Sequence, residues 1–173
     1  MIEVYADGTL TYAGRSYVCA LGRAGIIARA EKREGDGATP DGTYPIRSVW
    51  YRPDRIQLPK LNFPIHEITR TDGWCDDPLH PDYNRHVKLP FPASHENLWR
   101  PENEDHRYDI LVVLGHNDDP VIPNRGSCIF WHVAEENYAP TAGCVAMSAQ
   151  DLLVLLPQLS AQTKIYINVP FSL

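Results

Sequence analysis

Two side chains near the C-terminal end of the sequence have the chemistry of a nucleophile and its base. His132 lies in the apolar segment FWHV (residues 130–133), and Cys144 ends the small-residue segment TAGC (residues 141–144). A cysteine attacks as its thiolate, and a neighbouring histidine is the usual group that removes the thiol proton. Small residues around the sulfur let backbone N–H groups approach a substrate closely. The pair therefore predicts covalent acyl transfer if the fold joins both side chains; the alternative is a buried core cysteine and a structural histidine.

These segments resemble the catalytic domain of the L,D-transpeptidase (YkuD-like) family. That family's pattern is an apolar strand ending in His, a variable loop, and Ser/Thr-x-Gly-Cys before an apolar residue, and residues 126–133 and 141–147 are similar to it. Residues 32–45, which end in TPDGTYP, resemble the family's Gly/Thr-Pro-x-Gly-x-aromatic-Pro turn. The chain departs from many members at Ala142, where they carry a helper His, and at Ala146, where they carry Arg or Asn.

The resemblance implies a peptidoglycan L,D-transpeptidase that acts on stem peptides without a cofactor or a metal. Cys144 would attack the amide bond between an L centre and a D residue, form a thioester, and pass the acyl group to the amine of another stem. Stems contain such a bond at two places, so 3–3 and 1–3 cross-links both stay open. Backbone N–H groups at Gly143 would form the oxyanion hole, His132 would move the protons, and the main-chain carbonyl of Val133 would orient its imidazole.

Two other functions stay open at this point. An L,D-carboxypeptidase or endopeptidase would use the same thioester with water as the acceptor. A non-catalytic cell-wall binding module would keep only the fold, although the presence of both His132 and Cys144 argues against it.

Substrate contacts are predicted at a strand end, at arginines and beside the cysteine motif. His116 and Asn117 follow a predicted buried strand, a common position for site residues. The guanidinium groups of Arg52 and Arg125 match the carboxylates of diaminopimelate or of D-residues. Exposed loop or surface positions are the alternative for each of them. The predicted contacts are His116, Asn117, Arg125, Tyr51, Arg52 and Thr141.

Metal binding is another possible use of the cysteines. Cys128 and His132 have a spacing that also occurs in zinc sites, but on an extended strand four residues span roughly 13 Å. That distance is too long for one metal with bonds of about 2 Å. Residues 75–80 contain a Cys, two Asp and a His, but zinc sites usually offer a fuller, closely spaced ligand set. We therefore predict no metal.

The composition bounds the class of protein. A chain of 173 residues with 15 Pro and 11 Gly is typical of a single, loop-rich, mainly β domain over residues 1–173. The net charge of −6 makes nucleic acid an unfavourable partner. Four cysteines in a chain of this size do not indicate a disulfide framework. We expect a monomer.

Neither a membrane-spanning segment nor a signal peptide is visible in the sequence. The chain has no long apolar run, so no membrane insertion is expected. Its first residues lack the basic and apolar regions of a signal peptide. The family resemblance implies work in the periplasm or cell envelope, so the export route stays open.

Turn signals and hydrophobic alternation predict a series of short strands. Asp7-Gly8 between two alternating segments is a strong hairpin signal, and residues 108–114 are typical of a buried strand. Ser148 followed by Asp151 predicts the start of a helix. The resemblance implies β-sandwich or mixed sheets of L,D-transpeptidase type with one or two short helices. The predicted strands cover residues 2–6, 9–12, 15–21, 46–51, 108–114, 127–133 and 164–169.

Between residues 58 and 107 the periodicity disappears. Pro, His, Asn and Asp dominate this insert, and its scattered aromatic residues argue against disorder. A long irregular segment in a compact domain is usually functional when it is ordered. We interpret it as an excursion that forms one wall of the substrate groove; a structural loop without substrate contact is the alternative.

Overall fold

The computed structural model describes residues 1–101 and 105–168, and the fold is mainly β, as predicted. In these ranges the chain forms fourteen short strands and one α-helix, α1 (Ala149–Leu155), which continues into a 3₁₀ turn at Leu156–Gln158. The strands are β1 (Ile2–Val4), β2 (Thr9–Tyr12), β3 (Arg15–Val18), β4 (Ile26–Ile27), β5 (Thr39–Pro40), β6 (Gly42–Tyr51), β7 (Ile65–Glu67), β8 (Asp72–Cys75), β9 (His86–Lys88), β10 (His95–Asn97), β11 (Ile110–Leu114), β12 (Phe130–Val133), β13 (Val145–Met147) and β14 (Lys164–Ile167).

One large sheet carries His132 on β12, and Cys144 directly precedes its strand β13. Its strand order is β13-β12-β11-β6-β14-β1-β2-β3, and β7 pairs with β6. Ala20, just beyond β3, forms an antiparallel bridge to Ala146 of β13, with backbone hydrogen bonds of 2.7 and 2.9 Å. This bridge joins the two ends of the sheet, which is therefore nearly closed into a barrel.

Both faces of the sheet are covered near its centre. On β11, Val112 packs in a large cluster inside the sheet, and Leu111 packs in a second cluster on the opposite face. Every residue of β11 is buried, which explains why this strand reads as a continuous apolar run without alternation. Trp131 belongs to the inner cluster, whereas Phe130 and Cys144 belong to the second one.

The insert of residues 58–107 covers that second cluster. Within its described residues, β10, β8 and β9 form a small antiparallel sheet, and β7 joins the large sheet beside β6. Ile68 and Leu98 of the insert are buried against Leu111 and Phe130. Strands of three or four residues are too short to give a clear alternation, so their positions were not visible in the sequence.

Several predicted strands have different ends in the structure. The strand that carries His132 starts at Phe130, because Cys128 has a φ of 54° that extended backbone excludes. The strand predicted over residues 46–51 starts earlier, at Gly42, where it pairs with β14. The last strand ends at Ile167, and Val169 lies outside the described residues.

The helix follows directly from the strand that begins after Cys144. The predicted cap is confirmed: the Ser148 hydroxyl accepts a hydrogen bond from the Asp151 N–H at 3.0 Å. Such a cap satisfies one of the free N–H groups of the first turn. Leu152 and Leu155 then pack into the inner cluster, so the helix holds β13 against the core. In the part of the chain that the structure describes, no helix is long and apolar enough to cross a bilayer.

A buried carboxylate stabilises the small sheet of the insert. Asp72 accepts hydrogen bonds from Lys88, His86 and both the N–H and the hydroxyl of Thr69. Burial raises the pKa of Asp72, but these hydrogen bonds outweigh it and lower the pKa to about 2. Since the ordinary value is 3.8, the carboxylate stabilises the fold above pH 3.8. That contribution is lost as the pH falls through 2, and it amounts to about 2 kcal/mol.

We expect Asp72→Asn to lower the free energy of unfolding at neutral pH by roughly 2 kcal/mol. The variant should also lose the part of the acid dependence that lies between pH 4 and pH 2. Denaturant titrations at several pH values measure both effects, with Asp77→Asn in the same insert as the control. An Asp72→Asn variant as stable as the control at neutral pH would contradict this expectation.

Candidate active site

His132 and Cys144 line the same cleft, whose volume is about 350 Å³. The cleft is bounded by the end of β12, by residues 139–144, by the turn after Lys32 and by the insert. Since β12 and β13 are parallel neighbours with His132 opposite Ala146, the residue just before β13 lies beside the start of β12. The sheet therefore brings the cysteine and the histidine strands together, which the sequence could not show.

The Cys144 thiol is buried and bonded to main-chain groups. The sulfur accepts a hydrogen bond from the Phe130 N–H at 3.4 Å and donates one to the Cys128 carbonyl at 3.1 Å. Only 8% of the residue is exposed. Burial raises the pKa of this thiol to about 12, although the Phe130 N–H acts in the opposite direction. The sulfur is therefore protonated at neutral pH in the free protein.

The His132 imidazole is held in one tautomer. Its Nδ1 lies 2.8 Å from the main-chain carbonyl of Val133, and a carbonyl can only accept, so Nδ1 carries the proton. The Nε2 lone pair is then available as a base. Burial lowers the pKa of His132 to about 4, which keeps the ring neutral at pH 7. Tyr108 packs edge-on against this ring with centroids 5.5 Å apart.

The cysteine loop depends on Gly143 and Thr141. Gly143 has a φ of 142°, and a Cβ there would lie 2.8 Å from the Ala38 carbonyl oxygen. Thr141 closes the turn, because its hydroxyl accepts from the Gly143 N–H at 3.1 Å and donates to the Cys144 carbonyl at 2.7 Å. Thr141 lines the cleft, but its hydroxyl is used by the loop. The Gly143 N–H, expected to be an oxyanion donor, is likewise engaged in this turn.

The insert provides part of the cleft wall and fixes the ring beside His132. Glu96 accepts hydrogen bonds from the Tyr108 hydroxyl at 2.7 Å and from Arg100 at 2.8 Å. The Arg100 guanidinium also lies 4.5 Å from the centre of the Tyr108 ring. A carboxylate of the insert thus holds the aromatic ring that packs against the candidate base.

Several polar residues of the cleft were not predicted from the sequence. Lys32 and Glu34 lie in the turn segment that resembles the family pattern, which is the signal that could have pointed to them. Those on the insert gave no signal, because that segment has no periodicity. The charged residues of the cleft that the prediction lacked are Arg23, Lys32, Glu34, Asp76, Glu96, Arg100, Arg107 and Glu135.

Two of the predicted substrate contacts lie elsewhere and serve the fold. Arg52 is 3% exposed; it forms a bidentate ion pair with Asp54 at 2.8 Å and lies 3.5 Å from the centre of the Trp99 ring. The Tyr51 hydroxyl donates to Glu67 at 3.1 Å. Neither residue lines the cleft. The sequence could not distinguish these two uses of Arg52, because a guanidinium that matches a ligand carboxylate matches a nearby aspartate equally well.

Three more predicted contacts lie together in a separate cavity of about 490 Å³. His116 donates from Nε2 to the Arg125 carbonyl at 2.9 Å, and Arg125 donates to the Ala30 carbonyl. The Asn117 side chain closes its own loop through the main chain of residues 122 and 126. These residues do not line the cleft of Cys144, because a strand-end position does not reveal which side of the sheet the following loop takes.

Gly126 and Lys32 lie between this cavity and the cleft. A Cβ on Gly126 would be 2.9 Å from the Lys32 side chain, which lines the cleft, and 3.2 Å from the His116 ring, which lines the cavity.

Within residues 1–101 and 105–168, no group of three or more His, Cys, Asp or Glu side chains is placed to hold a metal ion.

The chain matches the profile of a known protein family. The profile of the YkuD family, described as the L,D-transpeptidase catalytic domain, matches residues 1–167. No curated protein and no solved structure matches the chain. The matched range includes the whole cleft and all of the described insert.

Proposed function

The chain belongs to the YkuD family of L,D-transpeptidase catalytic domains, and on this premise we propose that it is a cysteine-dependent transferase that cross-links peptidoglycan stem peptides. Members of the family typically are cysteine enzymes, act on peptidoglycan and work in the cell envelope. The observation that carries the proposal is the common cleft of Cys144 and His132, in which Nε2 of the imidazole keeps its lone pair.

The acylation half-reaction uses both side chains. Nε2 of His132 takes the thiol proton as the sulfur of Cys144 attacks the carbonyl carbon of an L–D amide bond. The carbonyl becomes an oxyanion, which is a stronger acceptor than a hydroxyl and competes with the Thr141 hydroxyl for the Gly143 N–H, now 3.1 Å from that hydroxyl. His132 then gives its proton to the leaving amine, the C–N bond breaks, and a thioester remains.

The second half-reaction restores the enzyme. An amine of another stem attacks the thioester while His132 removes one of its protons. The C–S bond breaks, the proton returns to the sulfur, and a new amide joins the two stems. The Val133 carbonyl supports both steps, because it keeps Nδ1 protonated and leaves Nε2 as the only atom that exchanges protons.

The charges of the cleft suit a substrate that carries both an ammonium and a carboxylate, as diaminopimelate does. The Oδ1 atom of Asp76 is buried and has no hydrogen-bond partner among the described residues, so it can accept from an ammonium. The Arg23 guanidinium forms no ion pair within the same ranges and can pair with a carboxylate.

Purified stem tetrapeptides that contain diaminopimelate test the proposal. Mass analysis of the products should show cross-linked dimers, and intact-protein mass spectrometry should show a transient acyl adduct that maps to Cys144. Fragmentation of the dimer then distinguishes 3–3 from 1–3 linkage. Trimmed monomers without dimers would show hydrolysis in place of transfer.

A carbapenem provides a second test that does not need the natural acceptor. Its strained amide should acylate Cys144 and add the mass of the drug to the protein. A protein that gains no mass from the carbapenem and no adduct from the stem peptide would be a non-catalytic wall-binding module.

A further inference from the structure

One side chain of the insert connects three separate segments near the cleft. Asn84 is 8% exposed, and its Nδ2 donates to the carbonyls of His116 and Asn117 at 3.0 and 2.9 Å. Its Oδ1 accepts from the Trp74 indole N–H and from the Cys128 N–H, both at 3.1 Å. All four hydrogen-bonding positions of the amide are therefore used, which makes Asn84 a fixed point between the insert and the start of β12.

The residue whose N–H Asn84 binds has an unusual backbone. Cys128 has a φ of 54°, in the left-handed region that side chains other than glycine rarely adopt. Its N–H is fixed by Asn84, and two residues later Phe130 enters the sheet. The backbone between these two fixed groups has to turn at residue 128, so the hydrogen bond that the Cys128 N–H donates to Asn84 stabilises a conformation that Cys128 would otherwise leave.

The conformation of Cys128 sets the direction of its carbonyl. That carbonyl accepts a hydrogen bond from the Cys144 thiol, with the oxygen 3.1 Å from the sulfur. A carbonyl can only accept, so it stabilises the protonated thiol and disfavours the thiolate. The Phe130 N–H on the same sulfur has the opposite preference. The sulfur is thus held between an acceptor that keeps the proton on it and a donor that favours the anion.

We propose that Asn84 is a positioning residue for the nucleophile: through its hydrogen bond to the Cys128 N–H it holds the Cys128 carbonyl against the Cys144 thiol. The inference rests on the proposed role of Cys144 as the nucleophile. In the free protein this arrangement keeps the thiol protonated and fixed in direction, at the place where substrate binding and His132 later remove the proton.

Alkylation of Cys144 by iodoacetamide at several pH values, followed by peptide mapping, measures the acidity of the thiol without requiring turnover. Asn84→Ala should release Cys128 from its left-handed conformation and remove the carbonyl from the sulfur. The loss of one such hydrogen bond is expected to lower the pKa of Cys144 by about one unit. At a pH below the midpoint of the thiol titration, alkylation should then be roughly tenfold faster. Trp74→Phe is the matched control, because it removes the other hydrogen bond on the same Oδ1 atom and should leave the pH profile unchanged.

The double variant Asn84→Ala/Cys128→Gly separates positioning from general loosening of the insert. Glycine adopts a positive φ without steric cost, so the second substitution should return the alkylation rate to within about twofold of that of the original protein. A twofold change in rate corresponds to a free-energy difference much smaller than that of one hydrogen bond. A rate that stays as high as in Asn84→Ala would overturn the proposal, because the faster reaction would then reflect easier access alone.

A second pair of variants keeps the test valid if Asn84→Ala does not fold. Cys128→Val places a β-branched residue, which resists positive φ, at the same position without touching Asn84. In this variant iodoacetamide should alkylate Cys144 roughly tenfold faster than in Cys128→Gly. Equal profiles for these two variants would overturn the proposal. The absence of an acyl adduct with stem peptides would instead overturn the proposed function and leave these profiles unaffected.

Discussion

Replacing Cys144 by alanine is expected to reduce the rate of acyl transfer by about 10⁴-fold or more while the protein stays folded, since removal of a covalent nucleophile has effects on this order. The side chain is small, and its loss removes the hydrogen bonds to Phe130 and Cys128 and the packing of one sulfur atom in the second cluster. We therefore expect a loss of about 1 kcal/mol in the free energy of unfolding. Dimer formation from stem peptides measures the first effect, and denaturant titration measures the second.

Cys75→Ala is the matched control for this experiment. Cys75 is also a buried free cysteine, but it lies on β8 and does not line the cleft. Its replacement should cost a similar amount of stability and leave the rate of transfer within a factor of a few of the original. Turnover that persists in Cys144→Ala would exclude Cys144 as the nucleophile, and a dead Cys75→Ala protein would show that the assay reports folding.

Replacing His132 by asparagine is expected to lower the rate by about 10²–10⁴-fold, the usual size of the general acid–base contribution. Asparagine can still donate to the Val133 carbonyl that Nδ1 now binds at 2.8 Å, so the strand is disturbed little. It has no lone pair to take the thiol proton at the position of Nε2. His95→Asn is the control, because His95 also bonds a main-chain carbonyl through Nδ1, that of Ala93, and lies outside the cleft.

The pH profile of the transfer reaction should carry the signature of a neutral base. The base is active only when His132 is unprotonated, and burial lowers its pKa to about 4. Activity should therefore rise with pH through a midpoint near 4 and not near the ordinary value of 6.5. In His132→Asn this acidic limb should disappear. A limb centred near 6.5 would mean that the imidazole titrates as an exposed histidine and is not the buried base described above.

The sequence predicted the elements whose signals are local. The hairpin around Asp7-Gly8 is present, with Glu3 opposite Thr11. The apolar run of residues 110–114 is a strand buried on both faces, and Ser148 caps the helix. Each of these rests on a turn, a run or a cap that a few neighbouring residues define.

The rest depends on contacts between distant parts of the chain. The left-handed conformation of Cys128 is stabilised by Asn84, which a single sequence does not connect with it. Glu96 reaches Tyr108 from the insert, where no periodicity marks the short strands. The strand end at His116 looked like a site position, but the next loop turns into the other cavity. Local patterns predicted Cys144 and His132 as the reacting groups, whereas the surroundings of these two side chains are set by tertiary packing.

The bridge between Ala20 and Ala146 limits how a peptide can dock. Many peptide-binding proteins bind an extended ligand as an extra strand on an open sheet edge, where free N–H and carbonyl groups pair with it. Here Ala146 pairs with β12 on one side and with Ala20 on the other, so the strand that follows Cys144 presents no such edge at its centre. Under the proposed function, we therefore expect an acyl donor to be bound by side chains and loop main chain around the sulfur, and not as an added strand at Ala146.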